Sequence, residues 1–541
     1  MIRINELQLP LDHTEEQLRQ AIIKRLNITP SQLQHHTVFK RSYDARKKNT
    51  VILFSYVIDV ATDNEQQLLK QLENDRNIRL SPDFDYKTVA SAPAGLTERP
   101  IIIGFGPCGL FAALTLAQMG FKPIVLERGK EVRARTKDTW ALWRKNVLSP
   151  ESNVQFGEGG AGLFSDGKLY SQVKDPKFYG RKVKQEFIKA GAPEEIIYVS
   201  KPHIGTFRLT GVVAAMREEI KALGGEVHFE SKVSDFILSD GQIQGVKIAD
   251  GTEYLSRHVV LALGHSARDT FRTLHAQGVY VEAKPFAIGF RIEHPQSQID
   301  QVRLGKYAGH PELGAADYKL IHHAKNGRAV YSFCMCPGGT VVAATSDVGR
   351  VVTNGMSQYS RNEHNANAGI VVGIHPEKDF PGDPLAGIAL QEDLESRAFQ
   401  LGGQDYSAPA QLVGDFIKGR PSTAFGAVAP SYTPGVTLCD LAPSLPDYAI
   451  EAIREALPAF GKQIRNFDRP DAVLTGVETR TSSPIRITRD RDSYQSINTK
   501  GLYPGGEGAG YAGGILSAGI DGIKIAEAIA LDMLSQLEST Q

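Results

Sequence analysis

The residues best placed to do chemistry fall into two glycine-rich segments and a few thiol, ammonium and guanidinium side chains. Gly104-x-Gly106-x-x-Gly109 follows the apolar run Ile101–Ile103 and precedes an alanine-rich stretch; a second apolar run, 123-PIVLE, then ends on Glu127. That order describes a strand, a tight turn, a helix, a second strand and an acid, the pattern of a dinucleotide site. Gly104 makes the turn, Gly106 lets a pyrophosphate reach the backbone, and Gly109 lets helix pack on strand. The helix N-terminus offers unpaired N–H groups to the phosphates. Glu127 can accept hydrogen bonds from a ribose, and Pro107 and Arg128 flank the two ends of the unit. These residues alone do not separate NAD from FAD.

The second segment, 501-GLYPGGEGAGYAGGILSAGIDG-522, holds nine glycines in twenty-two residues. Its apolar continuation, 515-ILSAGIDGIKIAEAIALDMLSQL, reads as a largely buried helix whose glycine-lined start would present N–H donors to an anion. The same glycines would also serve a helix packed tightly on another backbone.

Reactive side chains are fewer. Cys334-Met-Cys336 is spaced too tightly for an unstrained disulfide ring, and no second cysteine pair supports a metal site. The pair reads as small apolar residues on a strand, with Cys336, beside Pro337-Gly338-Gly339, the better candidate thiol. Cys108 reads as small-residue packing in the first helix. Lys168, in 165-SDGKL, reads either as a stabiliser of developing negative charge or as a surface lysine. The loop 478-ETRTSSPIRITRDRD carries four arginines. Arg480 is the candidate clamp for an anionic substrate, and Arg486, Arg489 and Arg491 are expected to be solvated.

The elements that position these residues follow from composition and periodicity. Lys plus Arg equals Asp plus Glu, 61 against 61, so no bulk field recruits nucleic acid or anionic lipid. Four cysteines in 541 residues exclude a disulfide framework and point to a reducing compartment. No apolar run approaches a membrane span and the polar start lacks a signal peptide, so a soluble, cytoplasmic protein without a membrane partner is expected. Residues 1–90 read as a small α+β unit, with strands in 1-MIRINELQL and 51-VILFSYVIDV and helices in 14-TEEQLRQAIIKRL and 64-NEQQLLKQL, the first capped by Thr14. The basic run 40-KRSYDARKKN reads as a solvated turn. The linker 88-TVASAPAGLTERP follows it.

Taken with 157-GEGGAGLFSDGKL, 333-FCMCPGG, 353-TNGMS, 478-ETRTSSPIRI and 501-GLYPGGEGAGYAGGI, the chain resembles a bacterial family of FAD-dependent dehydrogenases without an assigned substrate, within the two-dinucleotide-binding-domain flavoproteins of the glutathione-reductase type. The resemblance spans about residues 99 to 525. It implies FAD, with the first turn on its ADP half and Gly159 and Gly160 along pyrophosphate and ribityl. Val233 would touch adenine, Gly264 would lie where the chain returns past the cofactor, and Glu507, Gly513, Gly514 and Ile515 would close over ribityl and flavin. Glu507 stands where the family has aspartate.

The expected architecture is α/β: a Rossmann-like FAD-binding domain (91–282 and 476–541) with an inserted antiparallel-sheet substrate domain (283–475), preceded by the small α+β domain (1–90). The expected function is an FAD-dependent oxidoreductase, a dehydrogenase exchanging a hydride between flavin N5 and a small substrate. NAD(P)H, the substrate itself or a redox partner protein would be the electron partner. A flavin monooxygenase and an FAD-holding RNA-binding or scaffold protein are the alternatives.

Overall fold

The computed structural model describes residues 1–46 and 51–540, and at its centre lies a five-stranded parallel sheet. Its strands run in the order Leu502–Pro504, Val259–Leu261, Ile101–Ile103, Ile124–Leu126, Glu226–His228. Three of them, 101–103, 259–261 and 502–504, are buried at every residue, as a sheet covered on both faces requires. From Ile101–Ile103 the chain steps to one side through 124–126 and 226–228, then returns to the other side through 259–261 and 502–504. Such a reversal opens a crevice at the carboxyl ends of the strands, where α/β sheets bind ligands.

Two helices begin at this crevice. Pro107–Gln118 begins directly after the first glycine turn, with Gly106 at its N-cap and no side chain capping it. Ile515–Thr540 begins after the last glycine segment and lies along the first helix. A Cβ on Gly519 would come within 2.9 Å of the Phe111 ring, and one on Gly522 would run into the Cys108 carbonyl. These later glycines therefore allow close helix packing, whereas Gly513 and Gly514 have no atom within 4 Å of a built Cβ. The packing expectation for the segment thus holds at Gly519 and Gly522, while open space adjoins Gly513 and Gly514. A three-stranded antiparallel sheet (233–239, 242–248, 253–255) sits beside the parallel one.

A seven-stranded sheet is built from residues 286–478, in the order 321–323, 329–336, 365–374, 286–295, 473–478, 408–412, 436–438. Its pairings are antiparallel except for 408–412 with 436–438, which run parallel. Its central strand, Phe286–Pro295, is buried throughout but for Pro295.

The amino-terminal unit is a four-stranded sheet, order 33–44, 53–62, 2–10, 78–80, with helices Glu15–Leu26 and Glu65–Gln71. Thr14 caps the first helix in a reciprocal capping box with Gln17, as its position predicts. The expected turn over 40-KRSYDARKKN needs correction. Lys40–Asp44 ends a twelve-residue edge strand, Leu33–Asp44, and residues 47–49 of the run lie outside the described residues. The strand carries polar residues on both faces, so alternation did not announce it; pairing with Leu53–Thr62 holds it. Among the described residues no helix is long and apolar enough to cross a membrane.

Candidate cofactor and substrate site

The glycine turn at 104–107 and the segment 513–515, drawn from opposite halves of the chain, open into one cavity of about 1150 Å³. Most small-molecule pockets measure about 300–1,000 Å³, so this one has room for an extended dinucleotide. Glu127, Arg128, Gly160, Val233, Gly264 and Glu507 also line it, as do Lys168 and Arg480.

The donor set at the first turn fits an anionic dinucleotide. A side chain on Gly160 would come within 2.8 Å of the Gly106 Cα, so two bare backbones face each other across the cradle. The first N–H groups of helices 107–118 and 515–540 have no intrahelical partner and stand beside the cavity. Glu127 is buried and already organised: it accepts from the N–H groups of Phe105 (2.8 Å), Gly129 (2.8 Å) and Gly157 (2.9 Å). It therefore fixes the shape of the glycine turn as well as facing the cavity. Arg128 donates to Asp269 and Glu151 and lies 3.9 Å from the Phe156 ring centroid.

Two glycines do not face this space. Gly109 packs against the Gly104 carbonyl, the close helix–strand contact its spacing predicts. Gly159 turns toward Leu163 and Val213 and donates its N–H to the Phe105 carbonyl (2.9 Å), so of the two it is Gly160 that lines the cavity.

At the other end of the cavity the reactive residues are rearranged from expectation. Cys336 is fully buried, its thiol pushed up by Cys334 and burial, and does not line the cavity. Cys334 does. A bulge between Phe333 and Cys336, with Cys334 at φ +41°, breaks the alternation that would have put both thiols on one face. Hydrogen bonding to Cys336, with the Lys168 and Arg291 cations nearby, holds the Cys334 thiol below its ordinary range. Lys168 donates to the Met335 carbonyl and lies 3.8 Å from Asp166. Burial works against its charge, but the Cys334, Cys336 and Asp166 groups keep its pKa raised.

Arg480 is no clamp. All its donors are engaged: Nε and Nη2 on Glu395 (2.9 and 2.7 Å), Nη1 on Ser266 and Ser346 (2.9 and 2.7 Å), and Nη2 also on Asp347 (2.7 Å). Arg268 grips the same Glu395. The two arginines thus tie the parallel-sheet region to helix Ala386–Gly402 around one buried carboxylate. Arg489 is buried against Asp521 at 2.6 Å rather than solvated; Arg486 stays half-exposed and Arg491 exposed.

Glu507 keeps 30% exposure, all of it compatible with the cavity it lines, and burial pushes its carboxyl up to about 7 against the pull of Lys284. His265 Nε2 lies 3.9 Å away. Burial, with Arg480 and Arg268 nearby, pushes that imidazole down to about 3 and keeps it neutral.

Sequence reasoning missed the contribution of the amino-terminal unit. Lys40, Ser42 and Tyr43 line this same cavity, carried there by the strand that had no apolar periodicity to mark it.

The geometry defines an α/β protein with a central parallel sheet, a second, largely antiparallel sheet, and one large cavity lined by residues of both regions. Residues 285–481 match the family model of the FAD-dependent protein, C-terminal domain-like, and residues 1–61 match a domain of unknown function. The chain belongs to the same family as a protein of Clostridium beijerinckii described as uncharacterized, with which it is 49% identical over 530 residues, 98% of each chain. Among solved structures it is similar to L-proline dehydrogenase from P. horikoshii (14% identity, 81% of this chain and 95% of that one, TM-score 0.34). It is also similar to glycine oxidase from Bacillus cereus (12%, 81% and 96%, TM-score 0.30) and to the halogenase PltM (12%, 82% and 71%, TM-score 0.37).

Proposed function

We propose that the protein is an FAD-dependent oxidoreductase of the glutathione-reductase type, acting as a dehydrogenase on a small substrate between the parallel sheet and the seven-stranded sheet. The observation that carries this reading is the single cavity onto which both glycine segments open. Bound FAD would supply hydride acceptance and donation at its N5 position. The chain's own residues seat it and shape the space beside it. The 104–107 turn, fixed by Glu127, would hold the ADP half; Gly160 and Val233 would flank it; Gly513, Gly514 and Ile515 would receive the flavin end. N–H groups at the start of helix 515–540 favour negative charge there, and the Lys168 ammonium adds a positive charge to the same compartment. Glu507, half-protonated near neutral pH, can take or give a proton at its carboxyl.

Purified full-length protein should carry a flavin absorbance spectrum or acquire one with added FAD. Anaerobic bleaching by a panel of amines, hydroxy acids, NADH and NADPH then identifies the electron donor. Protein that neither contains nor binds flavin ends this reading.

A further inference from the structure

The cavity does not stop at the cofactor segments. Its mouth is closed by three stretches distant in sequence: the edge strand at 40–43, the loop around Lys168 and Tyr170, and the segment from Arg303 to Lys319. The edge strand is fixed in place by backbone hydrogen bonds. Arg41 N–H donates to the Tyr198 carbonyl (2.7 Å), and Ser200 N–H donates to the Arg41 carbonyl (2.9 Å). Two exposed contacts flank this seam, His310 with Asp12 at 3.1 Å and Arg41 with Glu312 at 3.4 Å. A sheet edge that would otherwise be open is thereby covered, and its residues are held at the rim of the compartment.

The charge at that rim is one-sided. Its two acids are spent internally, Asp317 on Lys201 at 2.6 Å and Asp166 on Arg361 through bonds of 2.9 and 2.5 Å. Lys40 and Lys319 make no ion pair with any described residue, and Arg303 donates only to the Asp317 backbone carbonyl (3.1 Å). The whole chain is electrically balanced, 61 against 61, so this excess is not inherited from composition. A concave mouth carrying one sign of charge raises the local concentration of the opposite sign.

We propose that the amino-terminal unit forms a wall of the substrate compartment, and that Lys40 with Lys319 at its rim binds an anionic group of the substrate, a carboxylate or a phosphate. The inference rests on the oxidoreductase reading for what the compartment is for. It replaces Arg480, whose donors are consumed, as the source of anion recognition. Tyr43 adds a hydroxyl at the same rim.

Isothermal titration of FAD-saturated full-length protein with phosphate and, separately, with malonate, at fixed ionic strength, tests it. At least one anion should bind at millimolar concentration or tighter. Lys40→Glu combined with Lys319→Glu should weaken that binding by about tenfold or more, Lys40→Arg should retain it, and Lys319→Ala alone should give an intermediate loss. A preference for one probe assigns carboxylate or phosphate. Flavin content, measured in every preparation, should not change, since neither lysine touches the glycine segments. Binding of neither anion by wild type, or equal binding by wild type and the double variant, overturns the inference. Protein devoid of flavin overturns the oxidoreductase reading instead, and the same lysine dependence is then read on the apoprotein.

Discussion

Glu395 sits at the centre of a five-bond cluster, and replacing it with glutamine isolates one carboxylate oxygen. Oε1 accepts from Arg268 Nη2 (2.6 Å), Thr479 Oγ1 (2.8 Å) and Arg480 Nε (2.9 Å); Oε2 accepts from Arg268 Nη1 (2.9 Å) and Arg480 Nη2 (2.7 Å). Glutamine can keep its oxygen at the first position, but its amide nitrogen must then face two guanidinium donors. Two hydrogen bonds to charged groups are lost, each worth about 1.5–3 kcal/mol, a total of about 3–6 kcal/mol. Breaking one side of a buried ion cluster costs about 3–5 kcal/mol, which agrees. Asp347 remains as counter-charge to both arginines, which sets the expectation near the lower end. Urea unfolding followed by tryptophan fluorescence reports the change; Trp143 is buried and donates to the Ala343 carbonyl, in the region these elements share. The pH dependence gives a second check. The flanking arginines hold the Glu395 carboxyl well below the usual carboxylate range, so its stabilisation is present above that range and fades as pH falls through it. The gap between wild type and Glu395→Gln should therefore narrow in acid. A variant within about 1 kcal/mol of wild type at neutral pH, or a gap independent of pH, refutes the reasoning.

Gly514→Val projects a branched side chain into the open space beside the last helix, so flavin content should fall severely while circular dichroism stays native; retained flavin would count against that segment as its wall. Glu507, with its carboxyl at about 7, should make the absorbance of bound flavin titrate near neutrality, and Glu507→Gln should flatten that titration. Because its pKa is raised on folding, Glu507 also makes stability decline as pH rises from the ordinary carboxylate value toward 7, a slope the same variant removes. Iodoacetamide should label Cys334 before Cys336, read by peptide mass spectrometry; faster labelling of Cys336 would refute the assignment of Cys334 as the cavity-facing thiol.

The glycine-lined half of the cavity was legible because it is built from backbone. Gly104, Gly106 and Glu127 occur in a fixed order around short apolar strands, and that order survives in sequence. The other half was not, because its decisive facts are partnerships across the fold. Nothing near Arg480 announces that Glu395, 85 residues earlier, will absorb it. Cys334 and Cys336 exchanged roles through a bulge, a one-residue irregularity that period-two reasoning cannot see. The edge strand at 33–44 escaped for the opposite reason: with polar residues on both faces it lacks a buried stripe, and backbone pairing with residues 198–200 holds it at the cavity. Gly159 and Gly160 are adjacent glycines with φ of +84° and +61°, and only their surroundings decide which one faces the cavity.

The contact between helices 107–118 and 515–540 sets an order of events during synthesis. The first turn is made early, but its cavity lacks one wall until helix 515–540 leaves the ribosome and docks on Phe111 and Cys108. Closing a loop of that length comes late in folding, since the entropy cost precedes the contacts that repay it. The nascent chain thus holds an open half-site until residues 513–540 have been made and folded against the first helix. A ribosome-stalled chain ending before residue 513 would lack that wall, so the two glycine segments share a cavity only once residues distant by about four hundred positions have both been made.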